Sequence, residues 1–123
     1  MRSKFNFRNE FGVYKGTHFF SQEHSSKNLI LVHGKGNNGN VYNWLIKPLV
    51  EAKYNVATFT VPNSRSKNTP PEAWTSGIIT CMDVLNLNEV ILIGHSLGGY
   101  ASLIDSYDKR IVKIIALAPP NKT

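Results

Sequence analysis

Residues Gly94-His95-Ser96-Leu97-Gly98 spell G-x-S-x-G where an apolar run ends and a helix-forming stretch begins. A serine hydroxyl is a weak nucleophile at neutral pH, and a tight strand-to-helix turn serves it by projecting the side chain clear of the sheet. The flanking glycines leave the space that side chains would fill. A helix starting after Ser96 directs its positive end at the same place and favours an anionic intermediate. The chemistry this arrangement serves is nucleophilic attack by the serine hydroxyl. An incidental serine in a Gly-rich turn would have the same spelling; the strand before it and the helix after it weigh against that.

A second candidate loop, His33-Gly34-Lys35-Gly36, ends an earlier apolar run. An oxyanion formed at Ser96 needs two backbone N–H donors, one from the residue after the serine, Leu97, and one from an earlier strand's exit loop, for which Lys35 is the choice. Lys35 would act through its main chain, so its charge is incidental. His33, Gly34, Gly94, His95 and Gly98 would shape the site. Gly34, Gly36 and Gly39 also spell G-x-G-x-x-G after a strand and before a helix, the pattern of a dinucleotide cradle. That cradle requires an acidic residue about 20 positions on, at the end of the next strand. Residues 54–64 contain none.

The elements that must position these residues follow from four Val/Ile/Leu-rich runs, 28–33, 55–61, 89–94 and 111–118, mostly continuous rather than alternating. Such strands are buried on both faces, as in a parallel sheet covered by helices. Helical segments between them give the order β-α-β-α-β-α-β and an α/β class, a sheet flanked by helices. In the first crossover, residues 40–52, the spacing puts Val41, Trp44, Leu45, Leu49 and Ala52 on one face, with a kink or break expected at Pro48. In the second, Thr69 reads as the cap, Pro70 as the first helical residue and Glu72 as the capping-box carboxylate, followed by a buried stripe of Trp74, Ile78, Met82 and Leu85. The third runs from Ser96 to about Tyr107, with Leu97, Ala101 and Ile104 inward. Upstream, residues 4–8 and 16–20 suggest an antiparallel hairpin reversing near Gly12. If the first parallel strand lies between the second and third, the loops at His33-Gly34 and at Ser96 face each other at a switch point, where open α/β sheets bind ligands.

A length of 123 residues with 41% apolar content fits one globular domain, 1–123, and excludes two. The single cysteine, Cys81, cannot form an internal disulfide, and its mid-helix position reads as packing rather than catalysis; a reducing, cytoplasmic setting is expected. No apolar run approaches the roughly 18 residues of a membrane span, and the first residues lack a signal-type apolar segment. The net charge of +6 is uneven: residues 1–70 carry ten Lys/Arg against three Asp/Glu. These cations are scattered over strands, loops and a helix rather than gathered with aromatics, so no nucleic-acid partner is expected.

With HG after the first core strand, Trp44 in the next helix, the Pro62-Asn63…Pro71…Trp74 stretch and GHSLGG at the turn, residues 28–119 resemble the α/β-hydrolase fold. Within it they are similar to the small YdeN-type serine hydrolases, relatives of the retinoblastoma-binding serine hydrolase. The resemblance implies Ser96 as nucleophile, hydrolysis of small-molecule ester or related acyl bonds, and no cofactor or metal.

It also implies an acid and a histidine after the serine. The four histidines are at 18, 24, 33 and 95, and none follows Ser96. Asp105 and Asp108 lie on or just past the helix after the turn and offer no substitute. General-base assistance is commonly worth ~10²- to 10⁴-fold, so the chain alone should be a poor hydrolase. His95 should point away from its neighbour, and His33 reads as structural. The expectation is an N-terminal part of a longer hydrolase; the alternative is a non-catalytic remnant or binding module, with a dinucleotide-binding protein behind it. A terminal apolar strand at the sheet edge predicts dimerisation or aggregation.

Overall fold

All four apolar runs form strands in the structure, a computed structural model that describes residues 1–21 and 25–118. His24 and the end of the resemblance at Pro119 lie outside the described residues. In chain order the elements are β1 (Arg2–Asn9), β2 (Gly12–Phe19), β3 (Asn28–Val32), α1 (Asn43–Glu51), β4 (Asn55–Thr60), α2 (Glu72–Val84), β5 (Val90–His95), α3 (Leu97–Ile104) and β6 (Ile111–Leu117). Short 3-10 turns occupy Gly39–Tyr42 and Asp105–Tyr107.

The strands make one mixed sheet in the order β1-β2-β4-β3-β5-β6. β3 is parallel to both β4 and β5, β5 is parallel to β6, and the β1–β2 hairpin joins antiparallel through β2 to β4. The switch point therefore falls between β3 and β5, as the sequence predicts. Alternate residues of the central strands divide the core. Leu29, Leu31, Val56 and Ile93 pack with Tyr42 and Ile46 on the α1 face. Ile30, Val32, Ala57, Phe59 and Leu92 pack with Trp74, Ile78, Met82 and Ala101 of α2 and α3 on the other. Each fully buried large apolar side chain contributes roughly 1.5–3 kcal/mol, more than the ~1 kcal/mol that a helical glycine costs. That balance lets α3 form through Gly98-Gly99.

The hairpin is longer than predicted. It reverses through Glu10-Phe11, where the Asn9 side chain accepts the Phe11 N–H at 2.9 Å, and re-enters the sheet at Gly12, whose φ of +127° suits glycine. Phe7 stacks on Tyr14 at 4.6 Å, and the Tyr14 hydroxyl donates to the Ala73 carbonyl at 2.6 Å, tying the hairpin to α2.

Expectations for all three helices need correction. The first turn before α1 is 3-10, with three residues per turn, so the phase slips: Tyr42 and Ile46 are buried, Leu49 is half-buried, and Trp44 is 74% exposed, with Val41 and Ala52 also outward. α1 continues unbroken through Pro48, which lies on the exposed face of a short helix, where the carbonyl it leaves unpaired is open to water. α2 begins at Glu72 with Pro71 before it and no side-chain cap. Two consecutive prolines delay the helix, and the Thr69 hydroxyl donates to the Asn63 carbonyl at 2.6 Å instead of capping. In α3, Leu97 and Ala101 pack inward as predicted, but Ile104 is exposed and Asp105 takes the next inward position. Cys81 is buried in α2, and burial pushes its thiol pKa up. Among the described residues no helix is long and apolar enough to cross a membrane.

Candidate active site

Ser96 is the one residue between β5 and α3, with φ +55° and ψ −120°, a left-handed conformation that costs a non-glycine residue roughly 1–3 kcal/mol. The turn is held by the Ser96 N–H donating to the Leu117 carbonyl at 2.8 Å and by the Tyr100 N–H donating to the Ser96 carbonyl at 3.1 Å. Its tightness explains the two glycines of the motif. A Cβ on Gly94 would lie 2.6 Å from the Gly99 nitrogen, and one on Gly98 would lie 2.6 Å from the His33 carbonyl oxygen. Neither space can be opened without moving backbone.

Across the switch point the loop after β3 meets this turn. A Cβ on Gly34 would lie 3.2 Å from Ser96 Cβ and 3.5 Å from His95 Nδ1, so the structure brings Gly34, His95 and Ser96 together. The loop is pinned from below by His33, which is fully buried. His33 Nε2 accepts the Val61 N–H at 3.0 Å, which makes Nδ1 the protonated nitrogen, donating to the Gly34 carbonyl at 2.7 Å. Burial lowers the His33 pKa, with the Gly34 hydrogen bond pulling the other way. Both ring nitrogens are engaged, so His33 has no lone pair for a serine proton. Trp74 meets the His33 ring edge-on at 5.8 Å and donates its Nε1–H to the His33 carbonyl at 2.9 Å. Further along, the Gly36 N–H donates to the Ser64 carbonyl at 3.0 Å and the Ser64 hydroxyl to the Asn37 carbonyl at 2.6 Å.

Lys35 sends its ammonium to the Thr69 carbonyl at 3.3 Å, away from the serine. The main-chain N–H groups of Lys35 and Leu97 donate no hydrogen bond among the described residues, and neither does the Ser96 hydroxyl. The glycine cradle for a dinucleotide is not free in the same way. Of its three glycine amides, Gly36 is spent on Ser64 and Gly39 on the Thr60 hydroxyl at 2.9 Å, and Gly39 opens a 3-10 turn rather than an α-helix.

One residue at the site escaped sequence reasoning. Tyr42 is buried beneath the two loops, its hydroxyl donating to the Val32 carbonyl at 2.9 Å. Burial raises its pKa to about 12 against a hydrogen bond from the His95 backbone. The only sequence signal for it was a tyrosine following a short Gly-Asn run. Asp105 and Asp108 sit at the far end of α3, an eight-residue helix of roughly 12 Å. Asp105 is 2% exposed and its Oδ2 has no hydrogen-bond partner among the described residues. Burial, then Asp108, raises its pKa to about 7, whereas hydrogen bonds from Arg110 hold Asp108 at about 2. No cluster of metal-ligating side chains occurs among the described residues.

The fold defines the class: the chain has the fold of the α/β hydrolases. No family model matches it, and no curated protein does. Among solved structures it is similar to an α/β serine hydrolase without lid from Xanthomonas campestris, at 15% identity and a TM-score of 0.80, covering 98% of this chain and 62% of that one. It is similar also to the α/β hydrolase GrgF of a Penicillium species, at 19% identity and 0.80, covering 97% and 46%. The naproxen esterase of Bacillus subtilis matches at 17% and 0.73, covering 93% and 42%. The chain thus spans about half the length of the structures it matches.

Proposed function

We propose that this chain carries the nucleophile of a serine hydrolase acting on ester or related acyl bonds of small molecules. The observation that carries the proposal is the left-handed backbone of Ser96 at the β5–α3 turn, strained to present beside Gly34 a hydroxyl that no described residue bonds. In the reaction, Ser96 Oγ bonds to the acyl carbon while its proton passes to a base. The carbonyl oxygen becomes an oxyanion facing the Leu97 and Lys35 N–H groups. Collapse then breaks the bond to the leaving alcohol, which takes the proton back. Glycines 34, 94 and 98 make the close approach of the two loops possible.

We assign the proton acceptor outside the described residues, because His33 is occupied on both nitrogens and no described residue hydrogen-bonds the Ser96 hydroxyl. That same observation favours a second reading, a non-catalytic remnant that keeps the site's shape. Labelling with a fluorophosphonate separates the two: a label on the folded protein that Ser96→Ala abolishes supports the enzyme, and absence of label supports the remnant.

The open edge belongs to the same proposal. Among the described residues β6 pairs with β5 alone and exposes Val112, Ile115 and Leu117 beside a single cation, Lys113, whereas the other edge strand, β1, carries Arg2, Lys4 and Arg8. Charged edges resist pairing and apolar ones invite it. Pairing with a second copy through β6 is therefore expected, and a monodisperse monomer in concentrated solution would contradict it.

A further inference from the structure

A cleft of about 640 Å³ lies beyond the serine, between the start of β2, the loop after β3 and the loop after β4. Lys15 and Arg65 line it together with Asn37, Asn38, Asn40 and Asn63, and no carboxylate does. Neither cation is paired with a carboxylate among the described residues. The side chains of Asn37, Asn40 and Asn63 make no hydrogen bond there either, and Asn38 uses only its oxygen, accepting the Asn40 N–H at 2.8 Å, so that its NH₂ remains a donor. Two unpaired cations beside four amides without an internal acceptor form a surface deficient in negative charge. The chemistry that completes it is a carboxylate or a phosphate, which accepts from amide N–H and from guanidinium alike.

The position of the cleft gives that anion a role. Its wall includes the end of β4, two strand spacings or roughly 10 Å from the exit of β5 that Ser96 follows, and Lys15 on β2 stands one spacing further out. The loop that separates cleft from serine is the one that carries Gly34 and Lys35, and Ser64 fastens it to the cleft wall through Gly36 and Asn37. We propose that Lys15, Arg65 and the surrounding asparagines hold the anionic end, carboxylate or phosphate, of a substrate whose acyl group lies at Ser96. The substrate class is thus an ester or related acyl compound bearing a negative charge roughly 10–15 Å from the scissile bond. This rests on the serine-hydrolase reading and adds selectivity to it.

The test uses two fluorophosphonates with the same reactive head and a tail of equal length, one ending in a carboxylate and the other in a carboxamide. The expected result is that the carboxylate probe labels Ser96 about tenfold faster and that this preference disappears in the Lys15→Gln/Arg65→Gln double variant. It should persist in Lys109→Gln, which removes one charge from an exposed site elsewhere. Equal rates in the unaltered protein overturn the proposal while leaving the serine assignment standing. If neither probe labels, the serine assignment fails, and titration with inorganic phosphate followed by NMR judges the cleft alone. Shifts confined to the amides of residues 37–40 and 60–65, lost in the double variant, support an anion site; their absence overturns it. Phosphate binding combined with equal probe rates would show a free-anion site and overturn the substrate role.

Discussion

The loop after β3 and the turn after β5 leave adjacent parallel strands and touch at Gly34, yet they are built in opposite ways. The first is satisfied apart from the Lys35 N–H: both His33 nitrogens, the His33 and Gly34 carbonyls, the Gly36 N–H and the Asn37 carbonyl all have partners, and Trp74 closes it from beneath. The second is strained and open, with a left-handed serine and, among the described residues, no partner for its hydroxyl or for the first N–H of the helix. A site that must meet charge at a fixed point needs one wall that does not yield and one residue held off its resting conformation. Here the two tasks are assigned to two different strand exits.

The largest expected effect comes from breaking the satisfied wall. Trp74→Ala should cost about 3–5 kcal/mol in denaturant unfolding, because it empties a fully buried indole site. Trp74→Phe keeps most of the volume and removes only the donor to the His33 carbonyl, so it should cost about 1–3 kcal/mol. Gly98→Ala attacks the seam between the two regions: its methyl meets the carbonyls of Val32 and His33, and overpacking of about 1–3 kcal/mol is expected, together with slower labelling of Ser96.

A pH measurement sharpens the contrast further. Burial lowers the pKa of His33, so the native state resists its protonation. Its contribution to stability is complete above the unfolded value near 6.5 and is lost as pH falls toward the folded value. His18 is lowered by burial too, and Asp105, raised to about 7, works in the opposite sense between about pH 4 and 7. The His33 share is therefore read as the difference between the unaltered protein and His33→Gln: the variant should lose less stability between pH 7 and 5. The smallest effect is a gain. Ser96→Gly relieves the left-handed backbone and should stabilise the fold by about 1 kcal/mol while ending labelling.

Much of the strained region was legible in the sequence, because G-x-S-x-G after a continuous apolar run leaves few backbone solutions. The sheet order was legible for the same reason: Val, Ile and Leu in unbroken runs must be covered on both faces. The satisfied wall was not. His33 and Trp74 are 41 residues apart, and nothing local to either shows that the indole donates to the His33 carbonyl. Nor does sequence spacing register a 3-10 turn, which is why Trp44 was expected inside and Tyr42 was overlooked. Thr69 followed a good capping pattern, but the double proline moved the helix start beyond its reach.

The central claim, that Ser96 is a presented nucleophile lacking only its base, is tested most directly by locating a fluorophosphonate adduct by mass spectrometry with and without added imidazole. The account predicts a single adduct on Ser96 whose rate of formation rises with imidazole concentration, as an external base supplies what His33 withholds. An adduct on another residue, or none on the folded protein at any imidazole concentration, would contradict it.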